Sequence, residues 1–263
     1  MRLAFNAKRN NRLGYLYDLL HELVLRDLKL RYRRSVLGIL WTLLNPLAQL
    51  LVLNLVFGLV LQLNIPNYTL FLFTGLLAWN WFQSSLYAGT GSIVDNRELI
   101  HRPGFPAAIL PVVTVASYFI HFLLALPILL VFMLLSGIPI SGAFFALPVI
   151  FAIQFILSLG LIYLFAAIQV TFRDTQYLLG VLLFLGFYLT PVFYDTAALP
   201  PQLQPLYRLN PMATIIESYR SVFIQAELPA GLPLLLWGLV SVALLWFTAH
   251  VFQKANYRFV EEL

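Results

Sequence analysis

The sequence predicts an all-α integral membrane protein: six spanning helices, an amphipathic helix before the first span and re-entrant helices before the last. Three observations predict it. Of 263 residues, 61% are hydrophobic and only 10% charged, too little charge to coat a soluble domain. Apolar stretches near the ~20 residues that a helix needs to cross hydrocarbon recur six times. Fourteen of the sixteen Lys and Arg fall before the first span, in alternate loops or in the tail, which is how a protein with both termini in the cytoplasm distributes them.

The chain reads as one domain: a cytoplasmic region over 1–35, a bundle over 36–253 and a cytoplasmic tail over 254–263. The first 35 residues are charged and lack an isolated apolar core, so no removable signal peptide is expected. From Tyr15 to Arg33, Asp18, Glu22, Arg26, Lys29 and Arg33 share one helix face, and Leu16, Leu20, Val24, Leu28 and Tyr32 run down another. That is an interfacial helix lying along the membrane. Asp27, Arg31 and Arg34 form a second charged line at i, i+4, i+7. Attraction to anionic headgroups and docking of a cytoplasmic protein both account for it.

Span one, 36–63, carries Pro46 in its interior, where a kink is expected. It presents Trp41, Asn45 and Gln49 at i, i+4, i+8; span two, 69–90, presents Trp79, Gln83 and Tyr87 at the same spacing. The stretch from Ser92 to Pro103 predicts a short cytoplasmic helix, capped by Ser92 or Asp95 with an acid three residues on, and stopped by Pro103, Gly104 and Pro106. Spans three and four follow at 106–135 and 143–171, the latter ended by Arg173–Asp174, a gate charge pair or a helix stop. Span five, 176–194, is short, holds Gly180 and Gly186, and carries Phe184, Tyr188, Thr190, Phe193 and Tyr194 at its outer half.

Between Asp195 and Glu227 the chain is rich in proline yet also in Leu, Ile and Tyr, which fits short helices dipping back toward the membrane. Glu217 and Arg220, one turn apart, either pair locally or close an exit. Span six is 231–253. His121 and His250 read as isolated structural histidines in apolar surroundings. The stripes of aromatic and amide side chains on spans one, two and five fit either helix–helix hydrogen bonding or the lining of a path for sugars, whose C–H patches slide on rings while hydroxyls find amides.

Four blocks, RDLKLRYRRSVLGILWTLLNPL, ELIHRPGFPAAILPV, FRDTQYLLGVLLFLGFYLTPVFY and LNPMATIIESYRSVF, occur in that order over nearly the whole chain. Together they resemble the membrane subunit of type-two ATP-binding-cassette exporters for cell-surface polysaccharides, the O-antigen, capsule and teichoic-acid class. The second block departs from the lysine-rich form in carrying His101–Arg102 and Gly104. The resemblance implies a permease of the bacterial inner membrane that pairs with a second copy of itself and with two ATPase subunits, and moves a lipid-linked polysaccharide. It implies that residues 14–34 are an interface helix and 92–103 a coupling helix, so that Asp27, Arg31, Arg34, Asp95, Asn96, Glu98, Ile100, His101 and Arg102 face the ATPase. Trp41, Asn45, Gln49, Trp79, Gln83, Tyr87, Phe184, Tyr188 and Tyr194 become channel-lining candidates, and Arg173, Asp174, Glu217 and Arg220 gate candidates. The same architecture exporting a lipid or drug is the alternative.

Three classes are disfavoured by the residues themselves. The three lysines follow Ala7, Leu28 and Gln253, so no Gly-Lys-[Ser/Thr] phosphate loop exists and ATP and Mg are expected on the partner chain, with no cofactor in this one. None of the 11 acids pairs with another acid or a histidine as a membrane enzyme requires. Nothing resembles a selectivity filter. The net charge of +5 is explained by membrane topology, so no nucleic-acid partner is expected. Without cysteines, disulfides and thiolate metal sites are excluded.

Overall fold

A computed structural model describes residues 12–33, 35, 37–196, 200–202 and 204–262. Among them the chain is helical, without strands. Helix α1 is Arg12–Tyr32, and α2 is Trp41–Leu53. A 3-10 turn, Gly38–Leu40, leads into α2, and a π-helical segment, Asn54–Val60, continues it. There follow α3 (Tyr68–Gly91), the one-turn α4 (Arg97–Ile100), α5 (Ile109–Leu135), α6 (Leu147–Thr171), α7 (Thr175–Leu189), α8 (Gln204–Arg208), α9 (Pro211–Arg220) and α10 (Gly231–Glu262).

The six sequence spans all coincide with helices. Four segments are long and apolar enough to cross a membrane: Gly38–Val60, Ile109–Leu135, Gly142–Thr171 and Gly231–Tyr257. Helix α3 has 24 residues, about 36 Å of rise, but Asn80, Gln83 and its serines make it more polar. Helix α7, at 15 residues, is shorter than a full span. Pro46 sits inside α2 without ending it; regular α geometry gives way about two turns later, at the π segment. There Asn54 Oδ1 accepts from Thr69 Oγ1 of α3 at 3.3 Å, so the bulge is where α2 is tied to its neighbour.

Helix α3 is the axis of the bundle. Eighteen of its 24 residues are buried, because it packs on α2, α5, α6, α7 and α9 together, and a helix enclosed on all sides needs no polar face. Helices α6 and α10 run parallel in close contact: a Cβ on Gly160 would stand 3.1 Å from the Leu245 nitrogen, and small residues allow such backbone approach where lipid supplies no hydrophobic drive. Fully buried Gln154 of α6 bridges three elements. Its Nε2 donates to Ala78 O of α3 at 2.8 Å, and its Oε1 accepts from the Tyr219 hydroxyl of α9 at 2.9 Å.

Helix α1 buries Leu23 and Val24 against this body, with Leu19, Leu20 and Leu28 partly covered. Asp18, Glu22, Arg26, Lys29 and Arg33 all remain exposed, as the amphipathic reading requires.

Candidate functional site

The turn after α3 is built on two buried isoleucines, Ile93 and Ile100. They press a 3-10 turn, Val94–Asn96, and α4 onto the bundle. Asp95, Arg97, Glu98, His101 and Arg102 stay exposed around them. Ile100, expected at the ATPase, is an anchor of this turn, buried beneath its exposed rim. The expected capping box is also absent. Asp95 lies within the 3-10 turn rather than before it, neither short helix has a side-chain cap, and Ser92 Oγ finds no partner. Asn96 organises the turn instead: Nδ2 donates to Ser92 O at 3.0 Å, and Oδ1 accepts from Arg26 Nη2 of α1 at 2.8 Å. Interface helix and turn are thus joined directly. Gly104 adopts φ +77° where the chain leaves the turn, a backbone region that glycine enters without penalty. Desolvation over Gly91 raises the Asp95 carboxyl above its ordinary value.

Sequence reasoning missed the joint behind this turn. Gln176, at the start of α7, donates from Nε2 to Tyr87 O of α3 at 3.1 Å, and its backbone N–H donates to Gln169 Oε1 at 2.9 Å. Gln169 in turn donates to Arg173 O at 3.0 Å. A Cβ on Gly91 would lie 2.8 Å from Asp95 Oδ2 and 3.1 Å from Gln176 Nε2, so glycine there lets turn, α3 and α7 meet. Gln169 was findable: it is a buried amide inside a spanning segment, the same signal used for Gln49 and Gln83. Arg173 and Asp174 are both exposed and make no ion pair with each other; among the described residues the ion pair is Arg31–Asp27. The chain breaks at extended Phe172, so the pair acts here as the stop between α6 and α7.

Asp27 and Arg31, expected to face the ATPase, also make contacts within the chain. They pair with each other at 3.2 Å, and Arg31 turns to α5, where Nη1 donates to the Tyr118 hydroxyl and the guanidinium lies 4.3 Å from the Tyr118 ring centre. Burial opposes the Arg31 charge, but Tyr118 and Asp27 outweigh it and its pKa is raised. The reason is packing: α1 lies against α5, and Tyr118 offers the guanidinium both a hydroxyl acceptor and a ring face. Arg34 lies outside the described residues.

Arg31 and Tyr118 open onto a cleft of about 710 Å³ between α1, α2, α3 and α5. Trp41, Asn45, Gln49 and Gln83 line it, as does His121 beside Tyr118, ring centres 5.5 Å apart. His121 therefore borders a polar cavity and is not isolated in apolar surroundings. His250 does conform: its Nδ1 meets Trp246 O of its own helix at 2.8 Å.

The other channel candidates face elsewhere. Trp79 is buried between α3 and α7, its indole donating to Gln83 Oε1 at 2.6 Å, with its ring over Gly186. Tyr87 covers Gly180. Phe184 and Tyr188 of α7 stand exposed, 5.3 Å between ring centres. The nine candidates thus form two surfaces, because Trp41, Asn45, Gln49 and Gln83 meet α2's side of α3 and the rest meet α7's side.

At the outer end, residues 190–194 are pinned from several directions. Tyr68 donates to Phe193 O at 2.9 Å, Asn210 Nδ2 to Thr190 Oγ1 at 2.9 Å, and Tyr194 to Tyr188 O at 3.1 Å. Asn210 also caps α9 through Met212 N, with Pro211 at the first helical position. Arg220, 7% exposed, donates from Nη2 to Val192 O at 2.7 Å and stacks 3.4 Å over the Phe71 ring. It forms no ion pair with Glu217, which points outward into a second cleft of about 740 Å³ shared with Asp195 and Tyr207. The local pair expected from spacing is replaced by a carbonyl and a ring face, since the guanidinium side of α9 packs on α3.

Residues 18–224 match the family described as ABC-2 type transporter. The chain is 40% identical to the O-antigen export system permease protein RfbA of Myxococcus xanthus, over 93% of this chain and 95% of that one. It is 34% identical to a protein of the same name from Klebsiella pneumoniae, over 98% and 100%. It is 25% identical to the polysialic acid transport protein KpsM of Escherichia coli, over 81% and 83%. With most of its length matched to the family and to permeases of that class, this chain belongs to the ABC-2 type transporters and is one of their membrane-spanning permease subunits.

Proposed function

We propose that this chain is the membrane subunit of an ATP-driven exporter that moves lipid-linked polysaccharide across a bacterial inner membrane, two copies enclosing the path and two separate ATPase subunits holding ATP and Mg. The carrying observation is the near full-length similarity to O-antigen export permeases, 40% identical in one case. Six helices cross the membrane, with both termini in the cytoplasm. The re-entrant reading of α9 is supported by Tyr219, whose hydroxyl donates to Gln154 of α6, which itself donates to Ala78 O near the middle of α3.

The exposed rim of Asp95, Glu98, His101 and Arg102 takes the ATPase. Its movement passes through the Asn96–Arg26 bond to α1 and through Gly91 and Gln176 to α7. Phe184, Tyr188 and Tyr194 offer ring faces to sugar C–H surfaces on the side where two copies meet. Arg173 and Asp174 sit at its inner end, Glu217 and the buried Arg220 at its outer mouth.

The test is reconstitution of the full chain with its ATPase in vesicles containing lipid-linked polysaccharide. ATP-dependent movement of the polymer to the far leaflet is expected, and replacing Glu98 and Arg102 together by residues of opposite charge is expected to lower ATPase association. Polymer movement without the ATPase, or none with it, sinks the proposal.

A further inference from the structure

The cleft beneath α1 has unspent hydrogen-bonding capacity, with donors in the majority. The Oε1 of Gln83 is taken by the Trp79 indole, which can only donate, and the Oε1 of Gln49 accepts from Asn80 Nδ2 at 2.9 Å. The amide NH₂ groups of Gln49 and Gln83 are left facing the cavity they line. Asn45, exposed on α2 within a spanning segment, makes no hydrogen bond. Arg31 uses two of its five N–H donors, on Tyr118 and Asp27. Trp81, which also lines the cleft and is 2% exposed, has an indole N–H without a partner. What remains is a set of amide and guanidinium donors and one cation, together with the Asn45 and Asn80 amide oxygens, around a space of about 710 Å³. A polar surplus at membrane depth is costly unless it is filled.

The complement of such a wall is an oxygen-rich anion, and a phosphate ester offers several acceptors around one negative charge. The flanks say what must be attached to it. Leu44 beside Asn45, and Leu123 and Leu124 beside Ala125, are exposed apolar residues on the two spanning helices that border the cleft; acyl or prenyl chains cover such surfaces. We propose that this cleft binds the phosphate head of a membrane amphiphile, with Arg31 and Asn45 as its main contacts. Asp27 keeps Arg31 oriented and lowers the net charge of the site, which favours exchange over permanent retention. The proposal goes beyond the transport reading and depends only on membrane embedding, so lipid binding and polymer export are measured separately.

The experiment titrates the full-length chain in a neutral sugar detergent with dioleoyl phosphatidic acid, a polyprenyl phosphate, dioleoylglycerol or inorganic phosphate, and counts bound ligand by native mass spectrometry. Saturable binding of both phosphate amphiphiles is expected, in competition with each other, with dioleoylglycerol and inorganic phosphate binding far more weakly. Arg31→Gln and Asn45→Leu are each expected to weaken it roughly tenfold, the scale of one hydrogen bond to a charged group. Asn45 has no partner to lose, so Asn45→Leu keeps the wild-type melting temperature. A clear preference for the polyprenyl phosphate assigns the site to a lipid carrier, and equal binding assigns it to bilayer phospholipid; both uphold the site. Unchanged affinity in both variants, equal binding of dioleoylglycerol, or inorganic phosphate binding as tightly as the amphiphiles overturns it.

Discussion

Gly75 carries a consequence larger than its size. A Cβ there would stand 2.6 Å from Val192 O and 3.0 Å from Arg220 Nη2, so the bond between Arg220 and the outer end of α7 exists only because α3 has no side chain at that point. Both obstacles are fixed: one is backbone, and the other is wedged against Phe71 at 3.4 Å. Gly75→Ala is expected to cost about 1–3 kcal/mol by overpacking, read as a lower melting temperature in detergent. Gly142→Ala, with open space around its Cβ position, is the matched control. An unshifted transition for Gly75→Ala would mean that the outer turn yields freely. Arg220 was legible in the sequence as a charge one turn from Glu217, pairing with it or closing an exit. That its partners are a carbonyl and a ring was not, because Val192 and Phe71 are apolar residues whose usefulness comes from position.

At the scale of elements, the junction of α6 with α7 depends on one amide. Gln169 is 5% exposed and satisfies Gln176 N and Arg173 O together, holding a three-residue break between two helices. Gln169→Leu strands both backbone groups, at about 1–3 kcal/mol for a buried polar group left unpaired. Hydrogen exchange of the Gln176 amide is expected to accelerate by one to two orders of magnitude, while exchange in α3 stays slow. Equal protection in wild type and variant would show that the turn is held elsewhere. The helices themselves were readable in advance: all six spans fall within a few residues of observed helices, because length and hydropathy are local properties. The π segment at Asn54–Val60 was not readable, since Pro46 is the stronger local signal and the tie to Thr69 comes from another helix.

For the whole molecule, the exposed apolar residues describe what a single copy leaves open. Helix α7 exposes Leu178, Val181, Leu182, Leu185 and Leu189, and α2 with its π extension exposes Leu51, Val52, Leu55 and Leu59. Both helices pack on α3 and leave these apolar faces uncovered. If two copies meet across the open side, single cysteines introduced along α7, in a chain that has none, are expected to form disulfide-linked dimers in membranes at positions repeating every three to four residues. Uniform absence of cross-linking along both α7 and α2 would remove the two-copy arrangement.

The sequence by itself determined membrane class, helix positions and family, for a physical reason: hydropathy and motif order are summed along the chain and need no knowledge of neighbours. Tertiary structure alone decided which polar groups serve which surface. It turned Arg31 inward to Tyr118, divided nine channel candidates between two faces of α3, buried Ile100 as an anchor and joined the turn after α3 to α7 through Gln176. Those outcomes depend on which helix lies beside which, and spacing within one helix cannot contain that information.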